Sequence, residues 1–168
     1  DIGSGNLTYM GSSKKDPMIS EELSLDMSSG NVELKNLVTK TFKHDGSSGN
    51  LQMLNVITKK GSFDISSGNI DLEGYQGKLE ADLSSGNLNV QMDEVTGAID
   101  IDVSSGRVSL DLPDDANFSL KGDVSSGNIE CDFPLEGKIV DKNEVSGKHG
   151  SGKHKIDLEV SSGNIEIY

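Results

Sequence analysis

The sequence predicts an all-β protein in which a single parallel β-solenoid domain, similar to a β-helix or β-roll, spans residues 1–168. Three observations predict this fold. The tetrapeptide Ser-Ser-Gly-Asn recurs at steps of about 19 residues, hydrophobic and polar residues alternate on both sides of it, and helix patterns are nearly absent. A near-constant period of this size is typical of solenoids, whose repeats bury their hydrophobic residues only by stacking on their neighbours.

The tetrapeptide is predicted to form the corner of each rung. Gly supplies the positive φ angle that a tight turn needs, and stacked Ser and Asn side chains can form hydrogen bonds from rung to rung. In Ser104–Arg107 an Arg replaces the Asn, and the longer interval from Asn128 to Asn164 is interpreted as two periods with a degenerate corner near Ser146. The predicted structural ladder consists of Asn31, Asn50, Asn69, Asn87, Asn128 and Asn164.

Each rung of about 19 residues is predicted to contain two main strands. Hydrophobic residues alternate with polar ones on either side of the corner, for example from Lys78 to Met92, which indicates strands with one buried face. In-register stacking would pair each strand in parallel with its equivalent one rung away, and two sheets would enclose an aliphatic core. The expected core residues are Met27, Ile65, Leu83, Val103, Val124 and Val160 before the corner, and Val32, Leu51, Ile70, Leu88, Val108, Ile129 and Ile165 after it.

Two segments interrupt the repeat. Residues 11–22 contain Ser-Ser-Lys-Lys-Asp-Pro and are expected to form an inserted loop. Residues 146–155 are rich in Gly, Lys and His and are expected to form a second loop. Because the sequence lacks an initiator Met and opens inside a repeat, we expect it to be a fragment of a longer protein.

A carboxylate stands two residues before the first Ser of every corner. The alternation points these side chains outward, and stacked strands would bring them to about 4.8 Å from one another. Like charges at that spacing repel by about 1 kcal/mol per pair in water. Hydrogen bonds at the corner together with solvent screening would offset this repulsion, and the alternative is a row of Ca²⁺ ions. The candidate Ca²⁺ column is Asp26, Asp45, Asp64, Asp82, Asp102, Asp123 and Glu159.

The overall charge restricts the classes of partner. A net charge of −13 repels nucleic acid and anionic lipid, so neither is an expected partner. No stretch is long and apolar enough for a transmembrane helix, so direct membrane insertion is not expected. The single cysteine, Cys131, is in phase with core positions and is interpreted as a small buried residue.

Catalysis and further cofactors are not expected. His149 and His154 flank a flexible Gly-Ser-Gly stretch, which does not preorganise a metal site. Asp100, Asp102 and Asp111 could form a glycan-cleaving group with Arg107, but these residues fit the repeat. A catalytic site should instead stand out as a local departure from it.

The unit Asp-hydrophobic-Ser-Ser-Gly-Asn-hydrophobic resembles the repeat of a bacterial adhesin-like β-solenoid family, a domain of unknown function. The end of the chain is similar as well, from Phe133-Pro134-Leu135 through the glycine-rich residues 147–152 to the last corner at 161–164. The resemblance covers essentially the whole chain. It implies an extracytoplasmic protein, on the cell surface or secreted, associated in Firmicutes with envelope-stress systems and without catalytic residues or an established cofactor.

Two functions are therefore in competition. The first is a non-enzymatic, adhesin-like domain of the bacterial cell surface that binds an envelope component or a protein. The second is a structural or assembly module whose open solenoid ends pair with another domain or with a second molecule of this chain. A glycan-active β-helix enzyme is the third and least favoured alternative.

Overall fold

The computed structural model describes residues 2–168, which form eight β-strands and no helix. The all-β prediction is therefore confirmed for this part of the chain. The strands are β1 (Gly5–Met10), β2 (Met18–Met27), β3 (Gly30–Met92), β4 (Ile99–Asp111), β5 (Phe118–Cys131), β6 (Glu136–Asp141), β7 (Glu144–His149) and β8 (His154–Ile167).

The long strand β3 bends where glycines adopt positive φ angles. These angles are 130° at Gly49, 140° at Gly68 and 137° at Gly86. Glycine accepts this conformation at little cost because it has no Cβ atom, whereas other residues are strained there. The strand ladder therefore continues around the bends, and β3 winds through several turns of the sheet.

The corner glycines stack directly on one another. A Cβ atom built on Gly68 would lie 1.9 Å from the carbonyl oxygen of Gly49, and one built on Gly86 would lie 1.8 Å from that of Gly68. Such distances are far shorter than any van der Waals contact, so only glycine fits. The spatial order of this glycine column is Gly5, Gly30, Gly49, Gly68, Gly86, Gly106, Gly163 and Gly127.

The C-terminal rungs do not stack in the order of the sequence. β8 lies between β4 and β5 and is parallel to both, with Gly163 opposite Gly106 on one side and Gly127 on the other. The prediction that each strand pairs with its sequence neighbour is wrong here. The reason is that β7 pairs antiparallel with residues 118–123 of β5 and occupies that edge, so β8 takes the opposite edge.

The interval between the last two corners holds a hairpin, not a degenerate rung. Ser146 lies in β7, which pairs antiparallel with β6 as well as with β5. The predicted loop at 146–155 is therefore also wrong in extent, because its first residues belong to β7 and its last two to β8. Only residues 150–153 form a turn, in which Gly150 and Gly152 have φ angles of 59° and 67°.

The inserted loop expected at 11–22 is shorter than predicted. β2 begins at Met18, and residues 18–20 and 22 pair in parallel with residues 37–39 and 41 of β3. Backbone hydrogen bonding to the neighbouring rung thus extends the strand over residues 18–22, and the polar stretch at 12–17 that indicated a loop remains in the connection. The connection that remains, residues 11–17, contains an isolated bridge between Ser13 and Asp16.

The core follows the predicted pattern along the sheet. Every residue that we expected in the core is buried except Ile129, which is only partly buried against it. Ile129 lies in β5, the last of the parallel strands, and β7 covers only the first half of that strand. In the rungs of β3, Phe63 packs against Phe42 and Tyr75, with ring centroids 5.3 and 6.4 Å away.

Candidate functional site

The asparagines beside the first corner glycines are joined by amide–amide hydrogen bonds. The Nδ2 atom of Asn31 donates to Oδ1 of Asn6 at 3.0 Å, and Nδ2 of Asn50 donates to Oδ1 of Asn31 at 2.8 Å. The same bond links Asn69 to Asn50 and Asn87 to Asn69, each at 2.9 Å. Asn6, Asn31, Asn50, Asn69 and Asn87 are called the asparagine ladder below.

The amide–amide hydrogen bonds of the asparagine ladder do not continue at Arg107. This residue lies opposite Asn87 on one side and Asn164 on the other, and its Nε atom is 3.8 Å from Oε1 of Glu166. Beyond it, the backbone N–H of Asn128 donates to Oδ1 of Asn164 at 3.2 Å. In residues 2–168, the amide–amide bonds of the corner column therefore end at Asn87.

A second column of asparagines was not recognised from the sequence. Asn36 and Asn55 adopt left-handed φ angles of 52° and 55°, and Gly74 follows with 65°. Nδ2 of Asn36 donates to the carbonyl oxygen of Gly11, and Nδ2 of Asn55 donates to Oδ1 of Asn36 at 3.3 Å. Asn tolerates this conformation better than other residues with a side chain. The spacing of the pair, one full period, was the available signal.

A polar groove crosses the outer face of the strands that follow the corner glycines. It consists of two depressions of about 420 Å³ each, which share Gln52 and Asp71. It extends from Thr8 in β1 to Ser109 in β4 and Tyr168. Neighbouring rungs are spaced by about 4.8 Å, so the groove presents polar groups at a regular interval. We call it the polar groove.

Several polar side chains of the groove are held in place by neighbouring rungs. Nδ2 of Asn89 donates to Oδ1 of Asp71 at 2.6 Å, and Oε1 of Gln91 accepts a hydrogen bond from the backbone of Gly74 at 2.7 Å. At the far end, the hydroxyl of Tyr168 lies 3.1 Å from Oγ of Ser109. The groove therefore offers preorganised donors and acceptors, which suit the recognition of a hydroxyl-rich or peptide-like ligand.

The carboxylates of the candidate Ca²⁺ column lie on the strands that precede the corners. Asp26 is opposite Asp45, Asp82 is opposite Asp102, and Glu159 lies between Asp102 and Asp123. All but the partly buried Asp123, including Asp64, are exposed to solvent. Nζ of Lys121 is 2.8 Å from Asp123, so that carboxylate has a cationic partner.

A depression of about 300 Å³ lies beside this column and is lined by Asp64, Asp82, Asp100, Asp102 and Glu80. Hydrogen bonds from Lys60 and Lys78 lower the pKa of the Glu80 carboxyl. Within residues 2–168, no group of three or more His, Cys, Asp or Glu side chains is placed to hold a metal ion. Calcium binding by the column stays a prediction.

The residues considered for glycan cleavage do not share one depression. Asp100 and Asp102 line the acidic depression before the corner, whereas Asp111 lines the polar groove after it. Arg107 belongs to the corner column, where its nearest carboxylate partner is Glu166. This geometry gives the polar groove, and not the acidic set, the larger continuous surface for a ligand.

The three histidines have different environments. His44 is buried, and neither ring nitrogen has a hydrogen-bond partner in the described part of the chain. Burial lowers the pKa of His44, because it disfavours the charged form of the ring. The backbone of Leu25 lies nearby and opposes this shift, but it forms no hydrogen bond with the ring. His149 contacts two backbone carbonyl oxygens, and burial lowers the pKa of His154. Burial also raises the pKa of the half-buried Cys131 thiol.

Comparison with known proteins supports the all-β, β-solenoid-like fold. The described residues contain no helix that is long and apolar enough to cross a membrane. No curated protein and no solved structure matches the sequence. The family model described as Toastrack DUF4097 matches residues 1–168. The chain therefore belongs to the Toastrack DUF4097 family, an uncharacterised domain with a β-solenoid-like fold.

Proposed function

We propose that this domain is a non-enzymatic, adhesin-like binding domain of the bacterial cell envelope that works outside the cytoplasm. The polar groove is the observation that carries this proposal, because it presents donors and acceptors continuously across the rungs. Regular rungs of about 19 residues with Ser-Ser-Gly-Asn corners would supply that row. An extended envelope polymer or a peptide segment has the shape to follow it.

The chemistry of the groove favours a ligand rich in hydroxyl or amide groups. Amide and hydroxyl side chains pair with such groups directly, and the carboxylate of Asp71 adds a stronger acceptor. The net charge of −13 disfavours nucleic acids and anionic lipid surfaces. A role in the envelope-stress response is part of the proposal and is supported by the sequence resemblance.

The proposal is tested by co-sedimentation of the domain with Gram-positive sacculi and with anionic liposomes, each with and without Ca²⁺. The variant Gln52→Arg places a bulky cation at one of the two residues shared by both halves of the groove. The variant Thr96→Arg adds the same side chain to an exposed loop position that does not line the groove. We expect saturable retention of the wild type and of Thr96→Arg on sacculi, and loss of retention for Gln52→Arg.

Each outcome has a defined meaning. Absence of retention on both surfaces would overturn the envelope-binding proposal, and equal retention of the two variants would remove the groove from it. Retention that requires Ca²⁺ would point to the acidic column. Turnover of a glycan, abolished by Asp102→Asn, would contradict the non-enzymatic proposal.

One observation favours the assembly module as a second function. In the described chain, β1 pairs only with β3, and β2 pairs with β3 and, at Met27 alone, with Ile2. Most of the outer edge of these two strands in that part of the chain therefore carries unpaired backbone donors and acceptors. An exposed strand edge is a template for pairing with another chain or domain. Sedimentation velocity over a wide range of concentration tests this function, and a strictly monomeric protein would count against self-association.

A further inference from the structure

A third depression, of about 300 Å³, lies outside the regular repeat. Its walls come from the loop between β4 and β5, the loop between β5 and β6, the end of β7 and the end of the chain. Tyr168 lines both this depression and the polar groove. The lining residues are Asp114, Asp132, Phe133, Pro134, His149 and Tyr168. We call this cavity the end pocket.

His149 holds the walls of the end pocket together. Its Nδ1 atom is 3.0 Å from the carbonyl oxygen of Pro134, and its Nε2 atom is 3.2 Å from that of Asp114. The ring also packs against Phe118 and Phe133, with centroids 5.4 and 4.9 Å away. A neutral imidazole has one N–H group, so His149 donates to one of these carbonyl oxygens and only contacts the other. This hydrogen bond and the aromatic packing connect β7 to the neighbouring loops, and a pocket with fixed walls loses little conformational entropy when a ligand binds.

The pocket combines apolar surface with two carboxylates. Phe133 is buried, Tyr168 is about half exposed at 49%, and Pro134 adds further apolar surface. Asp114 and Asp132 also line the cavity, and in the described chain neither forms a salt bridge. Carboxylates and aromatic rings both attract a cation, and the apolar surface accommodates an alkyl stem. An apolar ligand without a hydrogen-bond donor would cover the carboxylates without giving them a partner.

We propose that the end pocket binds the alkylammonium group of a lysine side chain presented by a partner protein or peptide. The ammonium lies between the carboxylates of Asp114 and Asp132, and the methylene stem packs on Phe133 and Tyr168. The net charge of −13 adds long-range attraction for a cationic partner. This proposal does not depend on the function of the polar groove.

The test is an NMR titration of the full chain at neutral pH with Nα-acetyl-lysine N-methylamide. The matched probe is the norleucine derivative, which carries an alkyl side chain without the charge. We expect saturable shifts in residues 112–117 and 132–135, with a dissociation constant in roughly the millimolar range for so small a probe. We expect binding of the norleucine probe to be at least about tenfold weaker, which corresponds to about 1.4 kcal/mol.

Variants separate the charge from the aromatic contribution. Asp114→Asn and Asp132→Asn should each weaken lysine binding several-fold, whereas Asp115→Asn, in the same loop but outside the pocket lining, should not. Tyr168→Leu should weaken binding without altering the charge. The thermal midpoint of each variant shows that it is folded.

Three results would overturn the proposal: equal binding of the lysine and norleucine probes, an equal effect of Asp115→Asn and Asp114→Asn, or no saturable shift with the wild type. None of them bears on retention by sacculi, so failure of the end pocket and failure of the groove are distinguishable.

Discussion

The N-terminal region, β1 to β4, and the C-terminal region, β5 to β8, share one glycine column but are assembled differently. In the first, the rungs follow one another in sequence order, and the asparagine ladder connects the rungs of β1 and β3. In the second, the last strand inserts between two earlier ones, and an antiparallel hairpin pairs with β5. The glycine corner therefore specifies how rungs stack but not which rungs become neighbours.

The two regions also differ in the kind of site they build. The regular rungs of the N-terminal region place similar side chains at a constant spacing and so create the polar groove. The C-terminal region breaks the repeat with two loops and a hairpin, and these elements line the end pocket. Repetition therefore provides an extended surface, whereas departure from it provides a cavity of distinct chemistry.

Replacing a corner glycine should reduce stability most, and it tests the feature that both regions share. In Gly86→Ala the Cβ atom would lie 1.8 Å from the oxygen of Gly68, and in Gly127→Ala it would lie 1.6 Å from that of Gly163. Backbone strain and overlap each cost about 1–3 kcal/mol, so both variants should lose several kcal/mol of unfolding free energy or fail to fold. Denaturant unfolding measures this loss.

The control is Gly3→Ala, because a Cβ atom at Gly3 would meet no other atom within 4 Å. A loss below about 1 kcal/mol at Gly86 or Gly127 would contradict the prediction.

The second effect concerns β8, which joins the two regions. Leu158 is fully buried and lies opposite Ile101 of β4 and Gly122 of β5. Leu158→Ala should cost about 2–5 kcal/mol through the cavity it creates. In the sheet that residues 2–168 form, β5 and β7 are connected to β4 only through β8. In Leu158→Ala, hydrogen exchange should therefore show that β5 and β7 lose protection before β3 does. The matched variant Val145→Ala in β7 should have a smaller effect confined to the hairpin, and equal loss of protection in β3 would show that the regions unfold as one unit.

The third effect is a pH dependence that belongs to the N-terminal region. The buried His44 has a pKa below its usual value, so the unfolded chain binds a proton that the folded chain excludes. The contribution of His44 to the free energy of unfolding is then fully present above about pH 6.5. It falls as the pH drops below that value, by at most about 1.4 kcal/mol per pH unit. In the variant His44→Leu this pH-dependent part of the unfolding free energy should disappear. Urea unfolding at several pH values measures how the unfolding free energy changes with pH. The same change in the wild type and in His44→Leu would contradict the prediction.

The smallest effect compares one asparagine from each region. Asn50→Ala removes an amide donor to Asn31 and an acceptor for Asn69, which should cost about 1–2 kcal/mol. Asn128→Ala should cost less than about 0.5 kcal/mol, because in the described chain the Asn128 side chain forms no amide–amide bond. Urea midpoints measure both values. Equal losses would mean that these amide bonds do not stabilise the N-terminal region.

Much of the fold could be predicted from local pattern. Alternation with period two requires only that one face of each strand be buried, so it predicted the strands and nearly all of the core. Ile129 departs from the pattern because its burial depends on whether another rung covers β5. His44 stands opposite Leu25 in the register and could have been predicted to face inward, whereas the lack of a partner for its ring depends on the surrounding rungs.

The all-β class, the corner glycines and the alternating core follow from the sequence alone, because each depends on residues close together in the chain or on a constant period. The place of β8 follows from the three-dimensional packing, because β7 and β8 compete for the two edges of β5. The same packing creates the groove and the end pocket, since a cavity arises from segments that are distant in sequence. Local conformation follows from local chemistry, whereas the order of strands follows from the free energy of the whole assembly.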